Sequence, residues 1–281
     1  MARIRYMTAG ESHGPALTAI LEGLPAGLAL DAELIRADLA RRQLPLGAGG
    51  RMAIETDRAE ITGGVLAGRT TGAPIALVIP NRNHEAWRGK EVPAFTTPRP
   101  GHADFAAATQ EGETLGGIIE LTATGLPVGL GSPVSADRRL DARLAAAMLS
   151  VQAIKGIEFG DGFALTNMKG TETRGRMGGL CGGVTDGDNL VLRVAMKPIP
   201  TTRKPQPTVD LATGQAAETV YERSDVCPVP RAVVILEAMA CLVLADALAE
   251  KLGGDSLDEM KPRFAALPRT VRLDPRGKVF W

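Results

Sequence analysis

The most apolar stretch of the chain is AVVILEAMACLVLADAL, residues 232–248, which approaches the length of a membrane-spanning helix. Two carboxylates, Glu237 and Asp246, lie within it, and a charge in the hydrocarbon centre of a bilayer is costly. Pro228 precedes the stretch and Gly253 follows it, and these residue types begin and end helices. The stretch therefore predicts a long helix buried in a protein core, and no membrane span.

The composition is that of an ordinary globular protein. The 281 residues are 44% hydrophobic and 23% charged, and 32 Lys and Arg balance 32 Asp and Glu. No overall field therefore attracts nucleic acid or an anionic membrane, and an anion has to be bound by local clusters of charge. The three cysteines, Cys181, Cys227 and Cys241, lack metal-ligand spacing. We therefore expect reduced thiols in a cytoplasmic protein and no metal site.

The remainder of the chain combines short strands with a few helices. Alternating apolar residues between turn signals predict strands at residues 16–22, 52–55, 59–65, 73–79, 117–124 and 190–196. Helices are predicted from the cap Asp31 to about Arg42, over residues 139–150, over the apolar stretch, and after the capping-box pattern that begins at Ser256. Because the first strands follow one another through short turns, an antiparallel arrangement is favoured over a βαβ series. The predicted fold class is α+β.

Two histidines stand beside glycines in loops. The sequence GESHG, residues 10–14, contains His13, and RPGHAD, residues 99–104, contains His102. Histidine holds or releases a proton near neutral pH, and glycine lets a ligand approach the backbone closely. The alternative interpretation is that these are ordinary turn histidines whose hydrogen bonds are satisfied.

Arginines recur beside glycine and proline in these loops, as Arg42, Arg51, Arg99 and Arg223. The guanidinium group binds a carboxylate or phosphate through two parallel hydrogen bonds. Together with two histidines and an acid, they would suit a small polyanion that undergoes proton transfer. The alternative is that they are solvated surface arginines.

The glycines of residues 175–183 neither follow a convincing strand nor open a helix, so we reject a nucleotide-binding fingerprint.

Several stretches resemble, in order, the signatures of the chorismate synthase family. The most specific are GESHG at residues 10–14, RPGHAD at 99–104 and RSDVC at 223–227. The stretches GETLGG at 112–117, GLPVGLG at 125–131 and VQAIKG at 151–156 are also similar to the family. Each match alone is weak, but the ordered set is specific and extends to about residue 254.

The resemblance implies a carbon–oxygen lyase of the shikimate pathway, which leads to the aromatic amino acids. The family converts 5-enolpyruvylshikimate 3-phosphate to chorismate and phosphate by an anti-1,4-elimination that requires reduced FMN. NADPH is the reductant in some members. The implied fold is a single domain over residues 1–281, in which helices are sandwiched between antiparallel sheets. A cytoplasmic homotetramer is implied, with no nucleic-acid or membrane partner.

The resemblance also implies roles for individual residues. His13 would protonate the departing phosphate, His102 would set the protonation of the reduced flavin, and Asp225 would assist proton removal. Substrate contacts would come from Arg42, Arg51 and Arg99, of which Arg42 is also assigned to NADPH in some members. FMN contacts would come from Gln152, Ala153, Gly182, Lys197, Pro198, Ile199, Pro200, Thr201 and Arg223. Pro198 and Pro200 exclude residues 197–201 from a central strand, because proline donates no ladder hydrogen bond.

The chain departs from the family in length and at two contacts. Family segments are missing near residues 105–111, where an Arg-Ala-Ser-Ala-Arg-Glu-Thr signature is expected, and near 164–177. Ala48 stands where the family usually has arginine, and Cys181 where glutamate is common. Two explanations stay open: these residues are the ordered part of a longer protein, or the chain lacks part of its flavin clamp and has little activity. The runner-up function is a non-catalytic scaffold of the same fold that binds anions or partners.

Overall fold

The computed structural model describes residues 4–11, 14–43, 57–82, 84, 114–200, 202, 204–219 and 227–268. Helices α1 to α4 comprise Ala32–Arg42, Leu140–Leu149, Val229–Leu252 and Leu257–Ala265. Strands β1 to β6 comprise Arg5–Ala9, Ala16–Glu22, Glu60–Gly63, Val65–Leu66, Arg69–Thr70 and Ile75–Pro80. Strands β7 to β13 comprise Gly117–Ala123, Ile154–Phe159, Leu180–Cys181, Val184–Thr185, Leu190–Met196, Pro207–Val209 and Ala216–Glu218.

The first sheet is antiparallel and has four strands in the order β1-β2-β6-β3. In β2, alternate residues point to opposite faces, so that Leu21 pairs with Tyr6 on one face while Ile20 pairs with Met7 on the other. The hydroxyl of Tyr6 lies 3.7 Å from the sulfur of Met239 in α3. The face that carries Tyr6 therefore packs toward the long helix.

The second sheet is antiparallel and has three strands in the order β7-β11-β8. Its central strand alternates buried residues, Leu190, Leu192 and Val194, with more accessible ones. The buried side chains face α2 and α3 and form the main core with Leu144 and Leu236. The helices thus lie between two antiparallel sheets, and the predicted α+β class is confirmed.

The long apolar helix is real, but only one side of it is buried. It runs from Val229 to Leu252 and, by length and composition, it could also cross a membrane. Leu236 is completely buried, whereas Ile235 is 37% exposed and Cys241 is exposed. The prediction of a buried helix is therefore correct for the stripe that faces the sheets and α2, and wrong for the opposite stripe.

Asp246 joins three parts of the fold. Its carboxylate is buried, accepts a hydrogen bond from the backbone N–H of Ile4 at 2.7 Å, and forms an ion pair with Arg143 of α2. Arg143 also lies 3.5 Å from Glu250, which binds Arg138 at 2.5 Å. Because a buried carboxylate is tolerated only with partners, this network ties the N-terminal sheet and α2 to α3.

The glycine-rich loop before β9 packs tightly against the second sheet. A Cβ atom at Gly178 would lie 2.3 Å from the backbone nitrogen of Gly160 and 2.5 Å from the carbonyl oxygen of Val191. Gly178 also has a φ of 70°, which favours glycine. Close packing of the backbone therefore explains why position 178 is glycine. This agrees with our rejection of a nucleotide-binding fingerprint in this loop.

Most predicted elements of the described chain are confirmed. The strands at 16–22 and 190–196 have the predicted bounds, and Asp31 caps α1 by accepting a hydrogen bond from the N–H of Glu33. The helix predicted after Ser256 is present, but the Ser256 side chain makes no capping hydrogen bond. The strand predicted at 52–55 lies outside the described residues.

The electrostatic surroundings of Cys241 give a testable prediction. Burial raises the pKa of its thiol, and the carboxylates of Glu237 and Asp38 raise it further. Glu237→Gln removes one of these carboxylates and is expected to lower the pKa of the Cys241 thiol. Since the thiolate is the nucleophile, alkylation of Cys241 by iodoacetamide should become about two- to fivefold faster, which corresponds to the interaction energy of an exposed pair of charges. Peptide mapping by mass spectrometry measures the rate, with the exposed Cys181 as internal reference. An unchanged ratio of the two rates would contradict the prediction.

Candidate active site

Three strands of the second sheet meet at one edge, where β7 and β8 begin and β11 ends. Met196, the last residue of β11, pairs with Gly117 of β7 on one side and with Ile154 of β8 on the other. The chain enters β8 from Ala153 and leaves β11 through Lys197. This edge brings together two segments to which the resemblance assigns flavin contacts.

Ala153 connects α2 to β8 in an uncommon backbone conformation. Its φ is 70°, a left-handed value that costs energy for a residue with a Cβ atom. In this conformation its carbonyl oxygen accepts a hydrogen bond from the N–H of Lys197 at 2.9 Å. Gln152, which precedes it, is exposed. The strained turn thereby holds the beginning of the segment that follows β11.

Residues 197–200, which we call the ledge, extend beyond the edge of the sheet. Pro198 and Pro200 have no backbone N–H and their rings restrict φ, so this segment is stiff and cannot extend the ladder. Pro198 is exposed, Lys197 is half-buried, and Ile199 is buried at 4% exposure. The ledge therefore presents a rigid apolar surface next to a cationic residue.

The segment Thr114–Gly117 lies directly against the ledge. The hydroxyl of Thr114 donates a hydrogen bond to the carbonyl oxygen of Ile199 at 2.5 Å. A Cβ atom at Gly116 would lie 2.4 Å from the carbonyl oxygen of Met196 and 2.8 Å from the ring of Pro198. The absence of a side chain at position 116 therefore lets the two backbones touch.

Helix α3 begins beside the same edge. Pro228 is the N-cap and Val229 is the first residue of the helix. A Cβ atom added at Gly117 would lie 3.2 Å from the side chain of Val229. The N-terminus of a helix carries a partial positive charge that favours anions. The edge is thus electrostatically suited to a negatively charged group.

Gly182 lies elsewhere in this chain. It occupies the turn between β9 and β10, and this hairpin is held near the N-terminus of α2, where Leu140 N–H donates to the carbonyl of Gly183 at 2.8 Å. The neighbouring Gly179 packs against Leu190, at the opposite end of β11 from Lys197. The structure therefore does not bring Gly182 to the edge that holds the ledge.

Arg42 lies at the C-terminal end of α1, 3.5 Å from the carboxylate of Asp57. The preceding residue, Arg41, binds Glu237 of α3 at 2.8 Å. Glu237 is eight positions after Val229, which corresponds to about 12 Å along a helix. The end of α1 therefore lies alongside the first half of α3, on the side of the molecule where that helix begins.

Glu11 and Gly14 flank the segment that contains His13, which lies outside the described residues. The N–H of Gly14 donates to the carbonyl of Glu11 at 3.1 Å, and the side-chain amide of Asn81 donates to the carbonyl of Gly14 at 2.8 Å. Asn81 follows β6, so the turn between β1 and β2 is fastened to the same end of the first sheet. Sequence reasoning missed Asn81, whose position directly after a strand is the signal that could have identified it.

The remaining predicted site residues lie outside the described residues, and their predicted convergence stays a prediction. They are His13, His102, Asp225, Arg51, Arg99, Thr201 and Arg223. Within the described ranges, no group of three or more His, Cys, Asp or Glu side chains is arranged to hold a metal ion.

Exposed apolar side chains and a cation lie at or near the described edge. Leu115 and Ile118 are 49% and 71% exposed, and Pro198 is exposed as well. Lys197 and the start of α3 supply positive charge beside it. Sequence reasoning missed the hydrogen bond of Thr114, although Gly116 and Gly117, where β7 begins, signalled a close approach of two backbones.

Comparisons with known proteins give one family. The family model described as chorismate synthase matches residues 4–110 and 106–249. The chorismate synthase of Caldanaerobacter subterraneus subsp. tengcongensis is 41% identical over 348 residues, with 96% of this chain and 99% of that protein covered. The chorismate synthase of Geobacter sulfurreducens is 37% identical over 390 residues, with 96% and 99% covered.

A solved structure supports the same assignment. A crystal structure of chorismate synthase superimposes with a TM-score of 0.72 at 32% sequence identity, and covers 93% of this chain and 96% of that one. The aligned lengths of the relatives exceed the 281 residues of this chain, so these relatives contain segments that it lacks. By sequence, by family model and by fold, the chain belongs to the chorismate synthase family.

Proposed function

We propose that this protein is a working chorismate synthase that holds reduced FMN at the edge formed by Ala153 and the ledge. Its family makes it a lyase of the shikimate pathway. The observation that supports the proposal best is the contact between the two segments, in which Ala153 accepts a hydrogen bond from Lys197. The substrate is 5-enolpyruvylshikimate 3-phosphate, which the enzyme converts to chorismate and phosphate.

The residues of the edge fit the cofactor. Pro198 supports the ring, and Gln152 and Lys197 offer a hydrogen-bonding amide and a cation, with Thr201 and Arg223 completing the set. Gly182 would take part only from a neighbouring copy or after rearrangement, because in this protomer it lies at the other end of β11. When bound, reduced FMN supplies the electron-rich group that the reaction requires, although substrate and products differ by no net redox change.

The polar residues of the chain bind the substrate and move its protons. Arg42, Arg51 and Arg99 hold the phosphate and carboxylates in two-point hydrogen bonds. The alternative role of Arg42 is a contact with NADPH. His13 gives a proton to the departing phosphate, His102 stands beside the flavin, and Asp225 assists proton removal from the substrate. Asp225 is close in the chain to Cys227, which leads into α3.

The assembly and location follow from the same proposal. We propose a cytoplasmic homotetramer with a small-molecule substrate and without nucleic-acid or membrane partners. Met7 and Ile20 pair across β1 and β2 and are 71% and 42% exposed. Apolar side chains that share an open sheet face support association with further copies.

The proposed domain extends over residues 1–281, without the family segments near 105–111 and 164–177. The two family-model matches overlap at residues 106–110.

An anaerobic turnover assay tests the function. The chain is mixed with dithionite-reduced FMN and 5-enolpyruvylshikimate 3-phosphate, and chorismate is measured by its absorbance. We expect chorismate and phosphate in equal amounts, at a rate below that of the Caldanaerobacter subterraneus relative, because this chain is shorter. Omission of the reductant should abolish product.

Two outcomes would contradict the proposal. If the relative forms chorismate under these conditions and this chain forms none, the chain is not a working enzyme. A flavin difference spectrum with added substrate then identifies what remains. No perturbation of the spectrum would favour the non-catalytic scaffold.

A further inference from the structure

We propose that Thr114 is a positioning residue that sets the orientation of the ledge, and through it the affinity for FMN. This inference rests on the proposed function, because it assigns the ledge to the flavin. Thr114 itself acts through Ile199, to whose carbonyl oxygen its hydroxyl donates a hydrogen bond at 2.5 Å.

Two hydrogen bonds between described residues attach the ledge. At its beginning, the N–H of Lys197 binds the carbonyl of Ala153 at 2.9 Å. Two residues later, the carbonyl of Ile199 receives the Thr114 hydroxyl. Since Pro198 and Pro200 have no N–H to donate, the backbone on either side of Ile199 offers few further attachments. One bond therefore fixes the ledge where it leaves β11, and the other fixes it at Ile199.

The approach of Thr114 to Ile199 depends on Gly116, two residues later in the chain. At Gly116 a Cβ atom would lie 2.4 Å from the carbonyl oxygen of Met196, a distance that real Cβ atoms do not tolerate. The backbone of residues 114–117 can therefore lie flat against the end of β11 and the ledge. This geometry brings the Thr114 hydroxyl to Ile199, whose side chain is buried at 4% exposure.

Loss of the hydroxyl would release one of these attachments. Ile199 would keep its buried side chain, but its carbonyl would lose a partner, and an unsatisfied polar group drives local rearrangement. The ledge would then be held mainly at the Ala153–Lys197 bond and would change its tilt. The surface that Pro198 presents would no longer be preorganised, so binding of a planar ring would become weaker.

The test measures FMN binding directly. Thr114→Val replaces the hydroxyl with a methyl group of similar size, Thr114→Ala removes it without replacement, and Thr114→Ser retains it. FMN is titrated against each variant and the quenching of its fluorescence gives Kd. We expect Thr114→Val and Thr114→Ala to raise Kd about tenfold, the equivalent of one lost hydrogen bond, and Thr114→Ser to bind FMN within about twofold of the natural protein.

Thr70→Val is the matched control. The Thr70 hydroxyl also donates to a backbone carbonyl, that of Pro25 at 2.6 Å, but it lies in β5, away from the ledge. This variant should lower the unfolding midpoint and leave Kd for FMN unchanged. Hydrogen exchange adds a readout that does not depend on flavin, because Thr114→Val should speed exchange of the Lys197 amide while Thr70→Val should not.

The outcomes separate the two proposals. If the natural protein binds FMN and Thr114→Val and Thr114→Ala bind it equally well, the positioning role is wrong and the proposed function stands. If Thr70→Val weakens FMN binding as much as they do, the effect is general loss of stability and the positioning role is also wrong. If the natural protein does not bind FMN, this inference fails, and the proposed function fails with it only if the turnover assay with reduced FMN also gives no chorismate.

Discussion

Replacement of Asp246 by alanine is expected to lower the free energy of unfolding by about 3–5 kcal/mol, because Arg143 loses its buried partner and keeps only the more distant Glu250, 3.5 Å away. The side chain of Arg143 is only 16% exposed and its guanidinium binds the Asp246 carboxylate. The N–H of Ile4 would lose its acceptor at the same time. Urea unfolding followed by circular dichroism measures the change.

Two further variants show whether the buried pair is responsible. Asp258 lies in α4 with a side chain that is 96% exposed, and Asp258→Ala should change stability by less than about 0.5 kcal/mol. The double variant Arg143→Met and Asp246→Leu removes both charges and should recover much of the loss, since no charge stays buried. A loss below about 1 kcal/mol in Asp246→Ala would contradict the assigned role of this network.

Replacement of His13 by alanine is expected to lower kcat about 10²- to 10⁴-fold, the usual contribution of a general acid. The proposal assigns to His13 the proton that the departing phosphate receives. Without that proton the leaving group departs as a more highly charged anion, which is unfavourable in an enclosed site. KM for the enolpyruvyl substrate should change much less, since the arginines that are proposed to bind it are retained.

His84→Ala is the control for this experiment. His84 follows β6, and its N–H donates to the carbonyl of Asn81 at 3.1 Å. It belongs to none of the motifs that resemble the family, so kcat should be close to that of the natural protein. If His13→Ala reduced kcat less than about threefold, the role of general acid would be wrong.

The parts of the fold that could be predicted are those with a strong local signal. Strand β2 alternates apolar residues, α1 has a capping aspartate, and α3 has a continuous apolar sequence between proline and glycine. These signals act within a few residues. Strand β1, Arg5–Ala9, was missed because all of its residues are exposed, and pairing with β2 rather than its own sequence makes it a strand.

Strand β8 and the exposed side of α3 show the same limit. Lys155 and Gly156 interrupt the apolar pattern of β8, whose extended form depends on pairing with β11. The position of Ile235 on an open stripe of α3 depends on where the sheets lie. Tertiary packing decides both the extended form of β8 and the exposure of Ile235. A short window of sequence carries no information about that packing.

The candidate site could be predicted only through the resemblance. Ala153 and Lys197 are far apart in the chain, and composition or spacing gives no reason to pair them. Their contact follows from the register of β8 and β11, in which Met196 faces Ile154. The Thr114 hydroxyl bond depends on the register of β7 and β11, in which Met196 faces Gly117, and no local pattern of sequence indicates it.

The bond between Ile4 and Asp246 joins residues separated by 242 positions. During synthesis, the amino-terminal strand leaves the ribosome long before the residue that anchors it has been made. Contacts of such sequence separation slow folding and expose unfinished surface. A nascent chain therefore keeps the hairpin of β1 and β2 without this anchor until Asp246 has been made, which makes release before that point a direct route to aggregation.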